Sequence, residues 1–215
     1  MSARASSRPS SRALARAVSS TRRGRRRGCV LEAVARETRD DEERATFGSR
    51  EADKVLETRT EGHGGVTRAV VFSTTAAVDV GAVERLSEAV GWPERPRAKI
   101  RRALENSFMV ATLYECDVDA QSGKVQETSR GKLIACARAT SDHVFNATLW
   151  DIIVDPEYQG RGYGKALVQQ MIRALLSRDV ANVTLFADED VVPFYRALGF
   201  VSDLDGIKGM FLTSE

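Results

Sequence analysis

From Thr67 onward the chain alternates between short β-branched runs and stretches whose apolar residues recur every three or four positions. Arg68–Ser73 (RAVVFS) predicts a strand. Asp79 can cap a helix through Val83, Leu86 and Val90, closed by Gly91 and Pro93. Pro96 then opens a second helix with Ile100, Ala103 and Leu104 on one face. Ser107–Glu115 (SFMVATLYE) reads as a strand, and the polar loop Asp117–Arg130, with Ser122-Gly123, as a hairpin connection. Lys132–Thr140 and Ala147–Val154 are two more strands, joined tightly through Asp142–Asn146. The period then changes. Lys165–Arg178 places Leu167, Val168, Met171, Ile172, Leu175 and Leu176 along one broad helical face. Asn182–Ala187 predicts a strand, Val191–Leu198 a short helix stopped by Gly199, and Phe200–Leu212 one or two closing strands around Asp205-Gly206. The order β-α-α-β-β-β-α-β-α-β is mixed α/β: an antiparallel meander followed by βαβ.

Composition narrows the class. At 42% apolar and 29% charged residues the chain is globular, and no run of 18 apolar residues offers a transmembrane helix. Three scattered cysteines and two histidines give neither a disulfide framework nor a metal site. The net charge of +2 hides an asymmetry: residues 1–28 hold nine arginines, seven serines and no acid, leaving an acidic remainder. This leader lacks the apolar core of a secretory signal and fits an organelle transit peptide. The clustered Arg22, Arg23, Arg25, Arg26 and Arg27 keep a nuclear-localisation or nucleic-acid arm as the rival. Residues 29–64 read as a flexible acidic and polar linker, with the ordered domain at 65–215. No nucleic-acid or membrane partner is expected of that domain; its oligomeric state stays open.

The segment Leu149–Leu167 (LWDIIVDPEYQGRGYGKAL) carries the chemistry. A strand ends at Asp155-Pro156, and a loop with Gly160, Gly162 and Gly164 runs straight into the amphipathic helix. Glycines let a ligand approach the backbone, and the first N–H groups of a helix are unpartnered and partly positive. That is an anion cradle suited to a pyrophosphate, with Arg161 and Lys165 adding charge. Two nucleotide motifs fail on spacing. A dinucleotide fingerprint counted from Gly160 needs glycine at Lys165, and a Walker A loop needs four residues between its glycines and Ser or Thr at Ala166.

The fit is to Q-x-x-G-x-G, Gln159-Gly160-Arg161-Gly162-Tyr163-Gly164, together with Phe194-Tyr195-Arg196-Ala197-Leu198-Gly199-Phe200. Both resemble the GNAT (Gcn5-related N-acetyltransferase) superfamily, over roughly residues 68–212. FNATLWDIIVDPEYQG, VTLFAD and GIKGMF are more narrowly similar to the plastid serotonin N-acetyltransferase-like members of plants and algae. The resemblance implies a mixed sheet with splayed parallel strands and flanking helices, and acetyl-CoA as cosubstrate without a metal. It implies that residues Gln159 to Lys165 hold the pyrophosphate. The backbone of Ile152, Ile153 and Val154 would pair with pantetheine, and an N–H near Ile153 would hold the oxyanion, a contribution of about 3 kcal/mol.

The resemblance also makes Tyr195 the acid that protonates the departing thiolate. Asp151, a carboxylate inside an apolar strand, calls for a justification. It is the candidate base or amine ligand, with a structural hydrogen bond as the alternative. Trp150 and Asp188 are candidate substrate contacts. Glu189 stands where plant relatives tend to carry an asparagine that contacts CoA. The expected activity is direct acetyl transfer to a primary amine: an arylalkylamine such as serotonin, a protein lysine or an N-terminal amine. A non-catalytic acyl-CoA-binding module is the alternative. The expected compartment is the chloroplast.

Overall fold

A single sheet organises residues 53–60, 66–119, 122–125, 127, 131–210 and 212, which the computed structural model describes. Its strands lie side by side in chain order: β1 (Lys54–Thr60), β2 (Thr67–Ser73), β3 (Met109–Asp117), β4 (Lys132–Ser141), β5 (Asn146–Val154) and β6 (Asn182–Leu185). Neighbours are antiparallel until β5 and β6, which run parallel. A parallel pair needs a crossover, supplied here by helix α3 (Tyr163–Leu176). Helices α1 (Val80–Ala89) and α2 (Arg97–Glu105) connect β2 to β3, and α4 (Val192–Ala197) follows β6.

The predicted caps act where expected. Asp79 accepts from the amides of Gly81 and Ala82 at 3.1 and 3.0 Å, starting α1. Pro96 immediately precedes α2, and Gly199 at φ +95° ends α4. Between β3 and β4 the bridge Val118–Val125 brackets the Ser122-Gly123 turn. The two faces are covered differently. Leu167, Val168, Met171 and Leu175 of α3 are fully buried against Ala111, Leu113, Ile134, Ala137 and Leu149. Each such side chain contributes roughly 1.5–3 kcal/mol, so this packing fixes α3 on the sheet. On the opposite face Val83, Leu86 and Ile100 of α1 and α2 meet Val71, Tyr114, Cys136 and Ile153.

Two sequence expectations need correction. Strand β1 lies inside the stretch 29–64 read as linker, so ordered structure begins before Gly65. Its pairing with β2, not its own weak pattern, makes it a strand. Among the described residues of Phe200–Leu212 the expected closing strands do not form. The described residues there contain a short 3-10 turn, Leu204–Gly206, with Asp203 and Asp205 both left-handed, a conformation incompatible with a continuous strand. The leader 1–28 and residues 29–52 and 61–64 of the expected linker lie outside the described residues.

The feature that positions the site is where β5 leaves β6. Their pairing runs from Asn146–Asn182 to Leu149–Leu185 and stops, while β5 continues to Val154. The cause lies on the other side of β5. The β4 register passes from Arg138 opposite Trp150 to Cys136 opposite Ile153, so β5 carries one extra residue. Asp151 sits in this bulge at φ +49°. A bulge bends its strand and increases its twist. Aspartate is one of the few non-glycine residues that tolerates the left-handed region. The expected splayed parallel pair is therefore present, opened by a bulge at Asp151.

Candidate active site

The loop after β5 has the shape of the predicted cradle. Gly160 and Gly162 are left-handed, at φ +71° and +85°, and a side chain at either would point into open space. Gly162 is the residue that starts α3. The amides of Tyr163, Gly164 and Lys165 are the first of that helix and have no acceptor within it. Backbone donors without a helical acceptor, a positive helix end and the exposed Arg161 and Lys165 fit a pyrophosphate. The guanidinium of Arg161 lies over the Tyr158 ring, 5.4 Å from its centre.

Two members of the motif face elsewhere. The Gln159 side chain turns back and donates to the Val154 carbonyl at 3.0 Å, fastening the loop to the end of β5. Tyr163 is buried, and its side chain points away from the cradle to β1. Its hydroxyl donates to Glu57 Oε2 at 2.8 Å and accepts from Arg59. Burial first, then the bond to Glu57, pushes this phenol up to about 12. Only the backbone of Tyr163 faces a ligand in the cradle.

Along β5 the backbone divides between two sides. The Asp155 amide donates to Ile134 on β4 at 2.8 Å. Alternation along an extended strand then turns Val154 and Ile152 towards the gap left by β6, and Ile153 towards β4. The side chain of Ile153 is buried with the α1–α2 core.

The carboxylate of Asp151 is not free. Its Oδ2 accepts from Arg138 Nε at 2.7 Å and its Oδ1 from Arg95 Nη1 at 3.0 Å. Arg138 is held further by Ser107 Oγ at 2.9 Å and the Ala103 carbonyl at 3.3 Å. Its side chain is 15% exposed, that of Arg95 43%. Arg95 also lies over the Trp92 ring, 4.9 Å from its centre. Asp151, Arg138 and Arg95 line a cavity of about 330 Å³ between α1–α2 and the β4–β5 bulge, with Glu94, Lys99 and Cys136 also in its wall. That is enough for a small acceptor group. Burial pushes the Cys136 thiol up to about 12, so it is a neutral wall residue.

Tyr195, on α4, packs against the α3-side core together with Ile152 and Val154. Its ring is half-buried between Phe194 and Phe200, with centroids at 5.0 and 5.9 Å. Burial, then the Asp188 charge, raises its phenol above the ordinary 10, so it stays protonated as a donor. A Cβ on Gly164 would touch Phe194 at 3.6 Å and Val154 at 3.5 Å, so α4, the cradle and the end of β5 meet at one point. Trp150 donates Nε1 to Thr140 Oγ1 at 2.8 Å and tilts against Phe186, both rings partly exposed on the sheet face bearing the cavity. Asp188 and Glu189 are exposed at the start of a 3-10 turn before α4.

Sequence reading missed Arg95 and Arg138, although Arg138 is the charged residue inside the apolar run of KLIACARAT after its first position, as anomalous there as Asp151 is in its own strand. Two opposite charges in adjacent apolar strands are the available signal. It also missed Glu57 and Arg59. Among the described residues no group of three or more His, Cys, Asp or Glu could hold a metal.

The acetyltransferase (GNAT) family model matches residues 90–200. The chain is 52% identical over 153 residues to GCN5-related N-acetyltransferase 2, chloroplastic, of Arabidopsis thaliana, covering 68% of this chain and 59% of that protein. It is 50% identical over 159 residues to histone acetyltransferase TAP1 of Glycine max, covering 74% and 67%. With serotonin N-acetyltransferase 2, chloroplastic, of Oryza sativa subsp. japonica it shares 40% over 140 residues, 65% of each. The chain thus spans about three fifths to two thirds of the length of these relatives. A probable acetyltransferase of Staphylococcus aureus has the same fold, with a TM-score of 0.53 and 21% identity over 67% of this chain and 99% of that one.

Proposed function

The chain belongs to the acetyltransferase (GNAT) family, and on that premise we propose that it moves the acetyl group of acetyl-CoA directly onto a primary amine within a ternary complex. The observation that carries this reading is the parting of β5 from β6 at Leu149, just upstream of a glycine loop that opens a helix. The gap exposes backbone groups of Ile152 and Val154 to a pantetheine arm, and the amides of Gly162 to Lys165 take the pyrophosphate.

The acceptor enters from the α1–α2 side, through the cavity at Asp151. Its ammonium is bound by Asp151, loses one proton to solvent, and the free amine attacks the thioester carbon. The N–C bond forms as the C–S bond breaks. The Ile152 amide, turned to the gap, is the oxyanion donor, one residue earlier than the sequence suggests; such a donor is worth about 3 kcal/mol. Tyr195 gives its proton to the leaving thiolate and recovers one from the acylated nitrogen. The net products are the acetylated amine, CoA thiol and the one proton released to solvent. Both oxygens of Asp151 are engaged by guanidinium groups, so its role here is to bind and orient the amine.

Plastid residence is part of the proposal. It is supported by the acid-free leader at 1–28 and by the chloroplastic relatives. Incubating the purified chain with acetyl-labelled CoA, serotonin and lysine- or N-terminal-amine peptides tests the reaction. Label should appear on an amine. Label that stays on CoA although calorimetry shows CoA bound would leave only a binding module.

A further inference from the structure

The charges around the acceptor cavity point to a kind of acceptor. Its wall holds three cations, Arg95, Lys99 and Arg138, and two anions, Glu94 and Asp151. Asp151 lies between Arg138 and Arg95. The two arginines are held unequally. Arg138 is largely buried and has two further acceptors, Ser107 and Ala103. Arg95 is nearly half exposed and rests on Trp92. Arg95 is therefore the partner that an ammonium arriving at Asp151 Oδ1 would either join or displace.

A purely cationic acceptor would place a third cation around Asp151 if it joined Arg95, or leave Arg95 without its carboxylate if it displaced it. It would also add to an excess of positive charge in the wall. An acceptor with its own carboxylate a few bonds from the amine avoids both costs. Its ammonium replaces Arg95 at Asp151, and its carboxylate replaces Asp151 at Arg95. One ion pair becomes two, and the net charge of the cavity does not change. Resting on the amine-acetylation reading above, we propose that Arg95 is an anion subsite. The acceptor is then an amine bearing a nearby carboxylate, either an acidic amino acid or the N-terminus of a protein with Asp or Glu in its first two residues.

Lys99, in the first turn of α2, reinforces the same preference, and Glu94 in the cavity wall opposes it. Arg97 takes no part, since it is paired with Glu84 at 2.6 Å.

The test is a kcat/KM comparison at saturating acetyl-CoA. One arm uses peptides that differ only in Asp, Asn or Lys at the second position. The other uses free aspartate and glutamate against serotonin. Asp should exceed Lys by about 10-fold or more, as expected when one member of a charge pair goes unmatched. Arg95→Gln should collapse the Asp:Asn ratio towards one, and Arg95→Lys should restore part of it. Melting temperatures confirm that both variants are folded. Preference confined to the free amino acids identifies a metabolite as the source of this chemistry; preference among the peptides identifies a protein N-terminus. Equal kcat/KM across the series, a preference for Lys, or an Arg95→Gln loss of equal size for every acceptor would overturn the subsite while leaving the acetyltransferase reading intact. Transfer to no acceptor at all, with acetyl-CoA still bound, would overturn both.

Discussion

The phenol of Tyr163 donates to Glu57 across 2.8 Å, tying the first turn of α3 to β1 over 106 residues of chain. The cradle is therefore braced from behind by a strand that sequence composition places in a linker. Tyr163→Phe keeps the buried ring and removes the hydroxyl. Stability should fall by about 1–2 kcal/mol. The KM for acetyl-CoA should rise severalfold with kcat nearly unchanged, because the loop loses its support and the reacting atoms do not. A chain beginning at residue 65 should melt below one beginning at residue 53. Equal melting temperatures would show that β1 is dispensable.

The same cluster predicts a pH dependence. The bonds from Arg59, then from Tyr163, hold the Glu57 carboxyl at about 2, against an ordinary 4.5. A depressed carboxyl contributes stability that is fully present above the unfolded value and lost as pH falls through the folded one. The melting-temperature gap between the native chain and Glu57→Gln should thus be constant above about pH 5 and close between 4.5 and 2. Glu57 and Arg59 are each more than a third exposed, so the gap is small and shrinks with salt.

Much of the fold is legible in the sequence. The Asp79 cap, Pro96, the apolar stripe of α3 and Gly199 all act locally, and local signals survive folding. The cradle is legible for the same reason, since its glycines and its helix are contiguous. What escapes is non-local. KVLETRT has no strong alternation and becomes a strand because β2 lies beside it. The bulge at Asp151 is a single inserted residue, which leaves no periodic trace. Arg138 and Arg95 are 13 and 56 positions from the carboxylate they hold. In the other direction, the apolar residues of the C-terminal segment suggest strands, and two left-handed aspartates break them.

Gly162→Val places a β-branched side chain at φ +85°. The backbone cost is about 1–2 kcal/mol or more, and the methyl groups would project into the space proposed for the phosphate oxygens. Titration calorimetry should show CoA affinity lost while far-ultraviolet circular dichroism is retained. Unchanged affinity would remove the cradle assignment.

Asp151 combines a backbone role with a charge role, and two substitutions separate them. Asn tolerates the left-handed bulge but leaves Arg138 without its carboxylate, at about 1–3 kcal/mol. Val adds backbone strain on top, so Asp151→Val should melt below Asp151→Asn. In assays Asp151→Asn should raise the KM for the amine and leave kcat within a few-fold. A kcat loss that recovers as pH rises would instead make Asp151 the proton acceptor.

The proposed mechanism turns on the half-buried phenol of Tyr195, which in that proposal delivers the proton to a CoA thiolate beside β5. Burial, then the Asp188 charge, raises this phenol, so the midpoint of any fall in kcat from its ionisation should lie above the ordinary phenol value of 10. The decisive measurement is steady-state acetyl transfer by Tyr195→Phe beside acetyl-CoA binding by the same variant. The kcat should be lower by about 10²- to 10⁴-fold, the usual contribution of general acid catalysis, with the Kd for acetyl-CoA unchanged. A Tyr195→Phe enzyme that turns over at the native rate would contradict this mechanism.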